Sequence, residues 1–151
     1  MKKILTTLFA LVLSMLLTTA APAGKIQIPA KYDLGKQLEQ VHDFWRTRII
    51  DWEAVDNQSL IIETSPGTYY LLVLTVPSYS LPMDMNRIRI TNSGSTIREG
   101  VDSVIVPTGG HMSDKVPIER IYKLKDREQM TAITKQLQGE RQGETGDTHK
   151  Y

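Results

Sequence analysis

The sequence predicts a mainly β protein: a small antiparallel β-barrel or curled sheet of six to seven strands with a C-terminal α-helix. Three observations predict it. Residues 49–75, IIDWEAVDNQSLIIETSPGTYYLLVLT, hold three strand-like runs separated by two turn signals. Further short runs rich in Ile and Val, Asn86–Thr91, Ser103–Val106 and Ile118–Leu124, are each bounded by Gly, Pro, Asn or Ser. After Asp126 the apolar spacing changes to that of a helix.

Residues 1–23 read as a signal peptide. Lys2 and Lys3 precede an apolar run from Ile4 to Leu17, and Ala21-Pro22-Ala23 supplies the small residues that a signal peptidase needs. That run has 14 residues, short of the roughly 20 that cross a bilayer. The expected location is therefore the periplasm or the secreted space after cleavage near Ala23, with no transmembrane segment in the mature chain. Without Lys2 and Lys3 the chain keeps 16 basic against 17 acidic residues. No basic field for nucleic acid remains. The absence of cysteine rules out disulfides, thiolate zinc sites and a lipid-modified N-terminal cysteine. Residues 24–138 are expected to form one β-rich domain held by its core alone.

Within that domain, Ile26 and Ile28 alternate before Pro29 and mark a short edge strand or an extended arm. From Leu34 on, Leu38, Val41, Trp45 and Ile49 fall at helical spacing, which favours one or two helical turns ending near Asp43, while Phe44-Trp45 also suits an extended entry into the first strand. Ile50, Trp52 and Ala54 then alternate with Asp51 and Glu53, the pattern of a strand with one wet face. Asp56-Asn57-Gln58 turns the chain so that Ser59–Thr64 returns antiparallel with Leu60 and Ile62 inward. Ser65-Pro66-Gly67 turns it again. The run Thr68–Thr75 is apolar on both faces, Tyr70, Leu72 and Leu74 on one and Tyr69, Leu71 and Val73 on the other. Such a strand must be central and covered twice.

Pro77 and Pro82 make Val76–Met85 a connection, since neither can donate to a ladder. Asn86–Thr91, with Ile88 and Ile90 inward, is expected to pair as a hairpin with Thr96–Arg98 across Asn92-Ser93-Gly94. Ser103–Val106 follows, closed by Pro107 and Gly109-Gly110. Ile118–Leu124 is the last strand, with Ile118 and Tyr122 expected on the core face. Asp126 with Gln129 forms a capping box for a helix from about Arg127 to Leu137, whose Met130, Ile133 and Leu137 make one stripe. Gly139 is expected to stop it. Residues 139–151, with one aromatic and no aliphatic side chain, are expected to be a disordered polar tail.

The catalytic motifs with defined spacing, GxSxG, HExxH, the P-loop and the dinucleotide glycine pattern, are absent from the sequence. His42-Asp43 with Ser78 or Ser80 offers the residue types of a hydrolase, but solvated residues beside a strand account for them more simply. Asp51 and Glu53 offer a carboxylate pair for glycosidic acid/base work, but the ordinary wet face of a strand accounts for them more simply. Gly109-Gly110-His111 reads as a flexible turn. Trp45 and Trp52 have the planar faces that stack on a sugar or base, with core packing the expected fate of Trp52. No catalytic residue and no cofactor is assigned.

Pro82-Met83-Asp84-Met85, at the mouth of a strand, and His111-Met112, in a later loop, combine thioether and imidazole, soft ligands suited to Cu(I). The Met83-x-Met85 pair leading into a strand resembles the periplasmic copper and silver metallochaperones of efflux systems. That likeness covers Leu81–Thr91 alone, with Leu81 where a tryptophan would stand. It implies an alternative function, a Cu(I)/Ag(I) carrier using Met83, Met85 and a histidine. Loop residues capping a core explain the same methionines.

A broader resemblance covers most of the mature chain. The succession IIDWEAVDNQSLIIET, YYLLVL, Pro77-Ser78, RIRIT, VDSVIV and VPIERIYKL resembles a family of small exported bacterial domains of unknown function. The resemblance implies a fold and an exported location but no activity. It also implies a cysteine just after the central strand and another just before the last strand, where this chain has Ser78 and Val116. These two would then be neighbours, the serine hydroxyl bonded to a nearby main-chain group. The function expected overall is a non-catalytic binding or envelope-associated module whose partner is an envelope protein or a small ligand.

Overall fold

The computed structural model describes residues 27–45, 48–83, 88–91, 94–109 and 111–144. The expected signal peptide and Met85 lie outside them. Nine strands form among the described residues: β1 (Glu39–Val41), β2 (Asp43–Trp45), β3 (Asp51–Ala54), β4 (Ser59–Ser65), β5 (Thr68–Leu74), β6 (Arg89–Ile90), β7 (Thr96–Arg98), β8 (Ser103–Gly109) and β9 (Met112–Leu124). One helix, α1 (Arg127–Glu144), follows. The mainly β expectation holds. Seven strands make a curled half-barrel in the order β3-β4-β5-β9-β8-β6, with β1 also on β9, and β2 and β7 form a separate ribbon.

The run Thr68–Leu74 is central because it is apolar on both faces. It pairs with β4 on one side and with β9 on the other. Leu72 and Leu74 enter an inner cluster with Leu60, Ile62, Ile97, Val104, Ile118 and Ile121. Leu71 and Val73 enter an outer cluster with Tyr32, Leu34, Tyr122, Ile133 and Leu137. The curl of the sheet encloses the first set, while α1 and the N-terminal arm cover the second. Leu60 and Ile62 face inward as their alternation requires, and Ile61 between them is buried on the outer side.

Several local expectations are corrected. Residues 34–43 are not helical: a 3-10 turn occupies Ala30–Tyr32, and β1 and β2 follow. The spacing of three between Leu38 and Val41 places them on opposite sides of an extended chain, Leu38 in the outer cluster and Val41 against the inner one. Ile50 is exposed, while Trp52 and Ala54 are half-buried. β3 ends the sheet and is covered by β4 alone. β6 and β7 do not form a hairpin; β6 pairs with β8 and β7 with β2.

Ile118 and Tyr122 do not share a face. Between Val73 and Leu74 the partner on β9 jumps from Arg120 to Ile118, so Glu119 is the extra residue of a β-bulge. The bulge breaks the period of two and brings Ile118 and Ile121, three apart, into the same inner cluster. Tyr122 therefore points outward.

The cap of α1 forms with a one-residue shift. Gln129 N–H donates to Asp126 Oδ1 at 2.8 Å, and the Gln129 side-chain oxygen accepts from Lys125 N–H at 2.8 Å, rather than from the Asp126 N–H. Ile133 and Leu137 are buried and Met130 packs beside them, as the stripe predicts. The helix does not stop at Gly139, where nothing in the local backbone breaks it; it continues to Glu144, into the stretch expected to be disordered. Among the described residues no helix is long and apolar enough to cross a membrane.

Candidate functional site

Register across the half-barrel determines what its inner face presents. Trp52 (β3), Ile62 (β4), Tyr70 (β5), Lys123 (β9) and Glu39 (β1) fall in one row. The next row inward is Ala54, Leu60, Leu72, Ile121 and Val41, entirely apolar. The change from the second row to the first is a change from core to rim.

At that rim lies an open cleft of about 390 Å³ between the β1–β2 segment and the β4–β5 hairpin. Phe44 and Tyr70 stack, ring centroids 4.1 Å apart and 14° from parallel, and separate the cleft from the inner cluster. Phe44 is buried because it pairs with Ile97 of β7, which lies in that cluster. Trp45, its neighbour on β2, points the other way and is 70% exposed, yet it also lines the cleft. Glu39, Asp43 and Lys123 supply charge, two carboxylates against one ammonium. Ser65 and Thr68 flank the Pro66-Gly67 turn, where Gly67 takes a φ of 80° that favours glycine. The Ser65 and Thr68 hydroxyls are hydrogen-bonded to each other at 2.9 Å. A second cleft of about 420 Å³ shares Glu39, Thr68 and Lys123 and extends past Lys125 and Gln129. The arrangement can stack and hydrogen-bond a ligand.

Asp56 is the principal buried charge among the described residues. Its Oδ2 accepts from Lys31 Nζ at 2.9 Å and from the Tyr32 hydroxyl at 2.7 Å. Its Oδ1 accepts from Gln58 N–H at 2.8 Å and the Ser59 hydroxyl at 2.9 Å. Burial pushes the carboxyl up, but the bonds from Tyr32, Gln58, Lys31 and Ser59 together outweigh it and hold the group below its ordinary value. These bonds fasten the N-terminal arm to the β3–β4 turn. Tyr122 fastens the same arm from β9, its hydroxyl donating to the Tyr32 carbonyl at 2.8 Å. Asp56 therefore anchors the arm and is unavailable to a ligand.

The other residues singled out in the sequence are scattered. His42 is exposed, with Nδ1 3.6 Å from Glu99. Ser78 is buried, and its hydroxyl has no hydrogen-bond partner, contrary to the main-chain bond expected of it. An unactivated, buried hydroxyl is not a nucleophile. Val116 is buried in the inner cluster; the Ser78 N–H donates to Asn57 on the β3–β4 turn, and it is Thr75 N–H that reaches Pro117 on β9. Asp51 and Glu53 are exposed on the outer face of β3, with Glu63 opposite Asp51. Met83 lies in the connection after β5 and is 81% exposed, while His111 and Met112 lie at the β8–β9 turn, both exposed. Among the described residues no group of three His, Cys, Asp or Glu side chains is placed to hold a metal ion.

Trp45 was legible as a stacking residue. Glu39, Tyr70 and Lys123 were not, because only strand order brings them beside it; the one signal was that Tyr70 interrupts an otherwise aliphatic inner face. Neither the curated proteins nor the solved structures contain a match to this chain. Its sequence matches a family model over residues 1–140, and the chain belongs to that family of unknown function (DUF6491).

Proposed function

We infer, with membership of that family as the premise, that the protein is an exported, non-catalytic binding module whose ligand occupies the cleft at the rim of the half-barrel. The observation that carries this reading is the exposed indole of Trp45, lining a cleft whose inner end is closed by the stacked Phe44 and Tyr70. An aromatic surface left in water beside fixed polar groups is a surface available to a partner. Export is supported by the charged and then apolar composition of residues 1–23. N-terminal sequencing of the protein recovered from periplasm should begin at Gly24, or at Ala21; a chain beginning at Met1 would defeat that part.

The binding part is tested through Trp45 itself. Fluorescence of the mature protein should shift to the blue when periplasmic extract is added, as the indole leaves water. The shift should disappear in Trp45→Phe, because the half-buried Trp52 is already shielded. A shift that persists in Trp45→Phe, or none in the natural protein, would remove the cleft as the site.

A further inference from the structure

Resting on the cleft as the ligand site, we propose that it binds a neutral saccharide chain, with one pyranose ring stacked on Trp45. The C–H face of a pyranose is apolar and weakly positive, which complements the negative face of an indole. β2 holds the Trp45 backbone by pairing with Thr96, so the ring is presented from a strand whose main chain is ordered before a ligand arrives. A sugar surrounds that face with hydroxyls that each donate and accept. Along the same cleft Glu39 and Asp43 accept, Lys123 donates, and the Thr68 hydroxyl can do either.

The same residues argue against other ligands. Along the two clefts together two carboxylates, Glu39 and Asp43, face two ammonium groups, Lys123 and Lys125, so no net positive charge draws a phosphate-bearing ligand. An acyl chain needs an apolar tunnel, and the Phe44–Tyr70 stack closes the route to the inner cluster. A cationic peptide would find Lys123 beside Glu39 in the same row of the sheet, with Tyr70 on its other side. Length also favours a chain over a single ring. The two clefts share Glu39, Thr68 and Lys123 and together form one surface track.

The test uses the mature full chain and three soluble tetrasaccharides, chitotetraose, cellotetraose and maltotetraose, with the peptide Lys-Trp-Lys as the competing class. At least one sugar should give a saturable heat of binding in calorimetry and a blue shift of Trp45. Trp45→Ala should weaken that affinity by about tenfold or more, the equivalent of about 1.4 kcal/mol. Asp43→Asn should weaken it while circular dichroism stays unchanged. If no tetrasaccharide binds while periplasmic extract still shifts Trp45, the saccharide class is overturned and the cleft stands. Binding of Lys-Trp-Lys alone overturns the class in favour of cationic peptides. Failure of sugars and extract together overturns both.

Discussion

Asp56→Ala is expected to lower the unfolding free energy by about 3–5 kcal/mol, the cost of removing one partner from a buried ion pair. The substitution strands four donors at once: the Lys31 ammonium, the Tyr32 and Ser59 hydroxyls and the Gln58 N–H. The Tyr32 ring is fully buried, so its hydroxyl has no water to turn to without displacing the arm. Lys31→Ala should cost less, about 1–2 kcal/mol, since it leaves three donors on the carboxylate and removes a side chain that reaches solvent. Urea unfolding should show the midpoint of Asp56→Ala falling at an unchanged slope. Equal effects of the two substitutions would mean that the ion pair, not the hydrogen-bonded turn, supplies the stabilisation.

The pH dependence follows from the same geometry. The folded-state pKa of Asp56 is depressed. Its contribution is therefore complete above the unfolded carboxylate value of about 4 and is lost as pH falls through the lower folded value. The stability gap between the natural protein and Asp56→Ala should be flat from neutrality to about pH 5 and should close below about pH 4. A gap that widens on acidification would reverse the sign and remove the carboxylate as the acceptor.

What the sequence made legible depends on near neighbours. The two-faced run Tyr69–Leu74 could satisfy its burial only between two layers, and Asp126 with Gln129 could only begin a helix. What it concealed depends on distant pairing. The β2–β7 ribbon joins Asp43–Trp45 to Thr96–Arg98, and no local signal in either segment identifies the other. The bulge at Glu119 was hidden because Ile118 and Tyr122 have the right spacing for one face of a regular strand; only Val73 and Leu74 across the sheet reveal the extra residue. The cleft shares this character. Trp45 showed itself by the planar face that could stack on a ligand, whereas Lys123 reaches the rim only because it pairs with Glu39 on one side and Tyr70 on the other.

Leu72→Ala is expected to cost about 2–5 kcal/mol, the range for a large-to-small change in a closed core. Leu72 is fully buried between Leu60 and Ile121 in the apolar row, and strand pairing on both sides prevents the backbone from collapsing into the void. Leu137→Ala on α1 empties a site in the outer cluster and should fall toward the low end of the same range, because a helix can settle where a paired strand cannot. The sheet lies between the two sites. If the clusters are energetically separate layers, the double substitution should equal the sum of the singles within about 0.5 kcal/mol. Leu72→Ala with Ile121→Ala should depart from additivity by about 0.5 kcal/mol or more, since these are direct cross-strand partners and their two cavities merge. Unfolding midpoints of the three single variants and both pairs measure this directly. Coupling between Leu72 and Leu137 as large as that between Leu72 and Ile121 would mean that the sheet transmits strain from one face to the other, and that α1 supports the cleft as well as the outer core.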